Sequence, residues 1–411
     1  MFGREPLLHH EQVFDIARKV MAIETDPSSS PAEASLVRGG PFYRAQHAVG
    51  LIRHNKWDLG RRISFLIVVG WLPLFLITAL LNRDGLVSLI RDYRVHARML
   101  VAVPVLLVGE LLMESRFRAV IGHLRQAELL DALELGHVDR VIATLIRARD
   151  SLVPEFVILL LLIVHTATSY KGLVDTTPWL SHASGGELQL TVAGWYAVLV
   201  SAPIFQFLLG LALWKWLLWT YFAFKLSRRN LKLVPTHPDG HGGLGFLGLT
   251  SAAFAPIAFS ATAVIAATWR EDILHHGARL IDFKLPAIIL IAVTALIALG
   301  PLAFFVPRLA VVRRKGILEY GILGQIHGVE FHEKWILHRA GHEAEFLVAP
   351  ESSAVANYGH IYDTVKNMNS FPADKGALYT LAGAVVIPAL PVILTQIPLA
   401  VVLSDLLKAL H

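Results

Sequence analysis

Residues 63–82, ISFLIVVGWLPLFLITALLN, contain no charged side chain. A helix of about 20 such residues matches the roughly 30 Å hydrocarbon core of a bilayer. A soluble fold has no use for so long an apolar run, and the chain repeats the pattern. Further apolar stretches cover about 97–113, 152–170, 191–224, 247–268, 285–307 and 376–403. Interior prolines such as Pro73, Pro203 and Pro301 do not count against these spans, because membrane helices tolerate them. Hydrophobic residues make up 55% of the chain and charged ones only 17%, against about 25% charged in soluble domains. The predicted class is an all-α polytopic membrane protein with about seven transmembrane helices and a helical cytoplasmic layer.

The 34 residues of 191–224 allow two readings, one long helix or a tight hairpin. One helix would extend about 50 Å. Charge decides between them. With one long helix and an inner N-terminus, 22 Lys and Arg fall on the inner side and 8 on the outer side. That is the direction of the positive-inside bias. The inner set includes Arg53, Arg61, Arg62, six arginines of 115–151, the four cations of 225–232 and eight cations of 308–375. A hairpin would move 225–232 outside, so one long helix is predicted. The first outer loop, with Arg83, Arg91, Arg94 and Arg98, is the least regular part of this topology.

Four regions follow. Residues 1–61 form a cytoplasmic segment, in which 11–24 carries one apolar helical stripe and 41–62 suits a membrane surface. Residues 62–307 hold six membrane helices, with cytoplasmic loops at 115–151 and 225–246. Residues 308–375 are a cytoplasmic helical region with glycine turns, and 376–411 a last membrane segment. No apolar core follows a basic start in the first sixty residues, so no cleavable signal is expected. The absence of cysteine excludes disulfides and thiolate chemistry. A net charge of +5, without any nucleic-acid motif, points to anionic phospholipid headgroups and away from nucleic acid. The bilayer is thus the first partner, and a homo-oligomer of this chain the second that the reading admits. The bacterial inner membrane is the expected location.

The loop KLSRRNLKLVPTHPDGHGGLGFLGLT, 225–250, combines the most charge-binding groups with the most permissive backbone. It runs into an apolar helix, whose first N–H groups favour an anion. Arg228 and Arg229 supply charge, Gly242 and Gly243 let the backbone approach a ligand, and His237, Asp239 and His241 add donors or metal contacts. The competing reading is a Pro/Gly turn in which Asp239 caps the helix and the cations meet lipid phosphate. The P-loop pattern GxxxxGK[ST] is absent.

This loop carries a resemblance. LVPTHPDGHGGLGFL, preceded by PIFQFLLGLALWKWLLW, is similar to a family of bacterial multi-pass membrane proteins without known activity. In that family an HPD-x-x-GGLGFL loop follows a long Trp- and Arg-rich helix. GELLMESRFR (109–118), FHEKW (331–335) and PALPVILTQIPL (388–399) extend the resemblance. The sequence departs from it at 349–366 and at Lys215, where an arginine is usual. The resemblance implies the architecture and no activity.

Among the polar residues inside predicted spans, Glu110, Gln206 and Lys215 are the candidates for an intramembrane polar path. Glu110, Glu114 and Arg118 follow one another at i+4 steps, which predicts a structural rung on one helix face. Lys215, among Trp214, Trp216 and Trp219, reads as an interfacial belt, or as a pore-lining charge if the helix sits deeper. A third cluster, 326–345, holds His338 and His342 at i,i+4, a spacing that suits zinc. They are the candidate metal ligands, and no cofactor is assigned. HEKWIL is not HExxH, which excludes the zincin reading.

The leading functional expectation is a channel or transporter for ions or small, preferably anionic, solutes. A membrane-bound, metal-dependent enzyme acting on a lipid-linked substrate is the alternative, and a non-catalytic scaffold or sensor the third. An enzyme is the less favoured class.

Overall fold

A computed structural model describes residues 35–53, 57–173, 177–184, 187–337, 350–373 and 375–396. The helices in chain order are α1 (Pro41–Ala48), α2 (Leu59–Leu81), α3 (Tyr93–Gln126), α4 (Ala132–Arg149), α5 (Val153–Leu173), α6 (Val192–Ser227), α7 (Gly245–His275), α8 (Leu280–Ala303), α9 (Val306–His332), α10 (Pro350–Lys366) and α11 (Lys375–Ile393). One antiparallel hairpin, β1 (Ser181–Ser184) with β2 (Glu187–Leu190), is the sole sheet among the described residues. The all-α class is thereby established.

Six helices are long and apolar enough to cross a membrane: α2, α3, α6, α7, α8 and α11. α5 becomes a seventh when counted with α4, to which it is joined by a 44° bend. Hydrogen bonds at its two ends show that α5 runs the length of the bundle. At its start, Glu155 accepts from Phe42 N–H at 2.8 Å, and neighbouring Asp150 accepts from Gly40 N–H at 2.9 Å. Beyond its end, Thr177 meets Arg94 and the Pro178 carbonyl accepts from Asn82. These partners lie at opposite ends of the bundle. α5 has 21 residues, about 31 Å of helix, and its outward Leu, Ile and Val side chains are exposed as lipid-facing residues would be.

The chain's second span differs from its expected limits. Glu114, Arg116 and Arg118 suggested an end near 113, yet α3 continues to Gln126. Its charged half stays helical because the polar layer packs around it: Glu114 binds Ser35 and Arg118, and Arg125 pairs with Asp139 on α4. α6 runs unbroken through 36 residues, as charge balance required. The described glycines of 308–375 lie inside helices and do not make turns. Gly316 and Gly324 lie inside α9, where Pro235 and Tyr358 come too close for a side chain.

Prolines shape the spans. Pro73 has no N–H for the carbonyl of Val69, and the helix breaks at Trp71. The Tyr196 hydroxyl donates to that orphaned oxygen at 2.6 Å. Two widened, π-helical stretches, Ala97–Ala102 and Ala197–Ser201, each end two residues before a proline, Pro104 and Pro203. Ser260 on α7 donates to the Ala102 carbonyl at the end of the first.

The core lies where α3, α6 and α7 meet. Phe117 and Trp219 stack at 4.4 Å, and Phe254 closes on Phe117 at 5.9 Å. α7 is the most buried of the spans. Close approach depends on Gly109, where an added Cβ would lie 2.6 Å from Pro256. Gly109→Val is therefore expected to lower stability by about 1–3 kcal/mol through overpacking. Gly122→Ala, on the same helix with nothing within 4 Å of the new methyl, is expected to leave it unchanged or slightly raised. Thermal unfolding of the two solubilised variants measures the contrast.

Candidate functional site

Glu110 of α3 faces two other helices. Its Oε2 accepts from Arg62 of α2 at 2.6 Å, and its Oε1 takes the Lys215 ammonium of α6. The three side chains are only 2%, 12% and 11% exposed for Arg62, Glu110 and Lys215. The expected rung survives only as Glu114–Arg118, at 2.5 Å. Glu110 turns to another helix because two cations there repay its desolvation. Lys215 is likewise buried in the bundle, with its ammonium on Glu110. Gly39, Gly40, Phe42 and Tyr43 lie over this cluster from the N-terminal side, leaving only a small cavity of about 20 Å³ against it. The Phe42 ring meets Phe207 edge-on at 5.1 Å.

Beyond the cluster, Leu106, Leu107, Leu208 and Leu211 are buried between α3 and α6, leaving a second small cavity of about 20 Å³ beside Glu110 and Lys215. Gln206 lies past this apolar layer, nine residues or about 14 Å of helix from Lys215. It lines a cavity of about 420 Å³ that opens at the far end of the bundle. Arg94, Arg98, His165, Thr166, Trp179, Thr268, Asp272 and His276 line it as well. Both π-helical stretches contribute to its wall, Arg98 from one and Ala197 and Val198 from the other. Asp92 is held there by Arg94 through two bonds, at 3.0 and 2.9 Å, and by the Trp179 indole at 3.0 Å.

The 225–250 loop is built around Asp239. Its Oδ1 accepts from His241 N–H at 2.8 Å and Gly243 N–H at 3.1 Å, and its Oδ2 from Gly245 N–H at 2.8 Å. The chain's own carboxylate thus occupies the amides offered to an anion. Gly240, Gly242 and Gly243 have φ of 65°, 65° and 94°, the left-handed backbone such a nest needs. His237 Nδ1 lies 2.9 Å from Asp239. Arg228 is exposed over the Phe224 ring, and Arg229 stands 3.8 Å from Glu134 on α4. The loop docks on the end of α10 through Asn369 N–H, which donates to the Gly240 carbonyl at 2.8 Å.

Among the described residues no three His, Asp or Glu side chains gather as a metal site, and His338 and His342 lie outside the described residues. Sequence reasoning singled out Glu110, Gln206 and Lys215 but missed Arg62 and Arg98, which it counted as loop cations. Arg62 directly precedes the 63–82 run and Arg98 is the second residue of 97–113, and that adjacency was the available signal.

Fold and site together describe a multi-pass helical membrane protein with a polar layer at one end and a cavity at the other. Compared with known proteins, the chain matches no family model, no curated protein and no solved structure.

Two tests follow from this geometry. Glu110→Gln leaves Arg62 and Lys215 without their counter-charge, with an expected cost of about 3–5 kcal/mol. Adding Lys215→Met to that variant should recover part of the loss, read as the thermal midpoint of the double variant against the single one. For Asp239, burial alone would raise the carboxyl pKa. Hydrogen bonds from His241, Gly245 and Gly243 N–H and from His237 outweigh it and hold the pKa below its ordinary 3.8. A depressed carboxyl contributes stability that is fully present above the ordinary value and lost as pH falls through the folded one. Asp239→Asn should cost about 1–3 kcal/mol at pH 7, and its difference from wild type should shrink below pH 4 in thermal scans.

Proposed function

We propose that this chain conducts a small solute across the membrane, as a channel or transporter. The observation that carries the reading is the stacked order of three layers along α3 and α6. A cavity with mixed polar and apolar walls opens at the far end; a leucine layer closes it; a buried ionic cluster lies beneath, covered by the N-terminal segment. Apolar constrictions of this kind gate by excluding water, and intramembrane charges mark solute paths. A purely structural bundle gains nothing from a cavity of that size, since filling it with side chains would add stability.

The layer formed by the N-terminal segment, α4, the 225–250 loop, α9 and α10 faces the cytoplasm in this reading, in line with the positive-inside bias. The membrane is then the bacterial inner membrane. Arg228 and Lys225, poised over Phe224 and Tyr221, meet anionic headgroups at its surface.

Proteoliposomes holding the full chain should release chloride, nitrate, small carboxylates or amino acids faster than protein-free vesicles. Leu211→Ser, which wets the closing layer, should raise that flux several-fold. If neither wild type nor Leu211→Ser moves any of these solutes while both remain monodisperse and folded, the reading is wrong.

A further inference from the structure

Among the described residues, one cation lining the cavity at the far end has no hydrogen-bonded partner. Arg94 gives two bonds to Asp92 and a longer one to Thr177, and Asp92 also accepts from the Trp179 indole. Asp272 lies against His276, at 3.2 Å. Arg98 lines the same cavity, and no hydrogen bond or ion pair reaches its guanidinium among the described residues. Asp92 and Arg94 act on it through space with opposite signs. It stands five residues inside α3, about 8 Å of helix from its start, on a π-helical stretch. A desolvated charge left without a counter-ion is expensive. Intramembrane cations are accordingly paired, or serve a ligand.

We infer that Arg98 is the anchor of a binding site for a small organic monocarboxylate within this cavity. The guanidinium presents parallel N–H donors that match the two oxygens of a carboxylate. Asp92 and Asp272 line the same cavity, and their negative charges argue against a divalent oxyanion. Gln206, Thr166 and Thr268 add neutral hydrogen-bonding groups, whereas Leu180, Ala197 and Val198 offer apolar wall for a short carbon chain. The volume of about 420 Å³ holds on the order of a dozen waters, ample for a solute larger than a halide. The proposal rests on the transport reading for its purpose and names the solute, but its test reads binding alone.

The full chain in lipid nanodiscs is titrated calorimetrically with sodium butyrate, with butyramide and with sodium chloride. Wild type should bind butyrate saturably, butyramide at least ten-fold more weakly, and chloride without competition at equal concentration. Arg98→Gln should weaken butyrate binding at least ten-fold, and Arg98→Lys, which keeps charge but loses the fork, by less. Gln206→Leu is the second variant: should Arg98→Gln fail to fold, a several-fold loss in folded Gln206→Leu supports the site, and none overturns it. Equal binding of butyrate and butyramide, or unchanged binding in folded Arg98→Gln, overturns the inference. Absence of butyrate binding overturns it too, and flux of other solutes by the same preparation would then leave the transport reading standing. Binding without flux would keep the site and remove the transport reading.

Discussion

The contact on which the bundle depends is the Glu110 carboxylate held between Arg62 and Lys215. Three helices meet there, and none can rotate or slide without leaving a buried charge alone. The cluster also marks one limit of the apolar stretches. From it to the far end, α2 runs 19 residues, α3 runs 17 and α6 runs 23, about 26–35 Å of helix. That brackets the hydrocarbon thickness. On the other side, α3 and α6 continue as charged, packed helices inside the polar layer. The ionic cluster is thus the floor of the apolar region, and the N-terminal segment rests on it through Gly40, Phe42 and their acceptors on α5 and its approach.

Backbone chemistry explains the upper half. Prolines at 73, 104 and 203 each remove a donor from a membrane helix, where no lipid can replace it. The Val69 carbonyl freed by Pro73 is met by Tyr196 of a neighbouring helix, and Ser260 adds a bond to the Ala102 carbonyl beside Pro104. Widening of α3 and α6 before Pro104 and Pro203 places two π-helical stretches beside the same cavity. π-helical turns recur at functional sites, and here one of them carries Arg98.

Much of the fold was legible because an uncharged run of some twenty residues has few alternatives. The long α6 was legible for a different reason: its loop cations fit only one side. Pairing was not. Glu110 and Lys215 are 105 residues apart, and Glu110 and Arg62 are 48 apart, so their meeting depends on helix rotations that no local pattern records. The second apolar stretch and its helix also differ in extent: the helix runs on past Glu114, Arg116 and Arg118 to Gln126, because the charged half packs into the polar layer. Asp239 shows the reverse case. Its bonds reach only two, four and six residues ahead, and an Asp leading a glycine-rich turn is a known local filler of backbone donors.

The central claim is that a water-filled cavity descends to Gln206 and stops at the leucine layer above the ionic floor. Because the chain has no cysteine, single thiols at 206 and 211 can report this directly in nanodiscs. Gln206→Cys should react rapidly with a membrane-impermeant maleimide, and Leu211→Cys should stay protected until the protein is denatured. Equal reactivity at both positions, or a protected Gln206→Cys, would contradict the account.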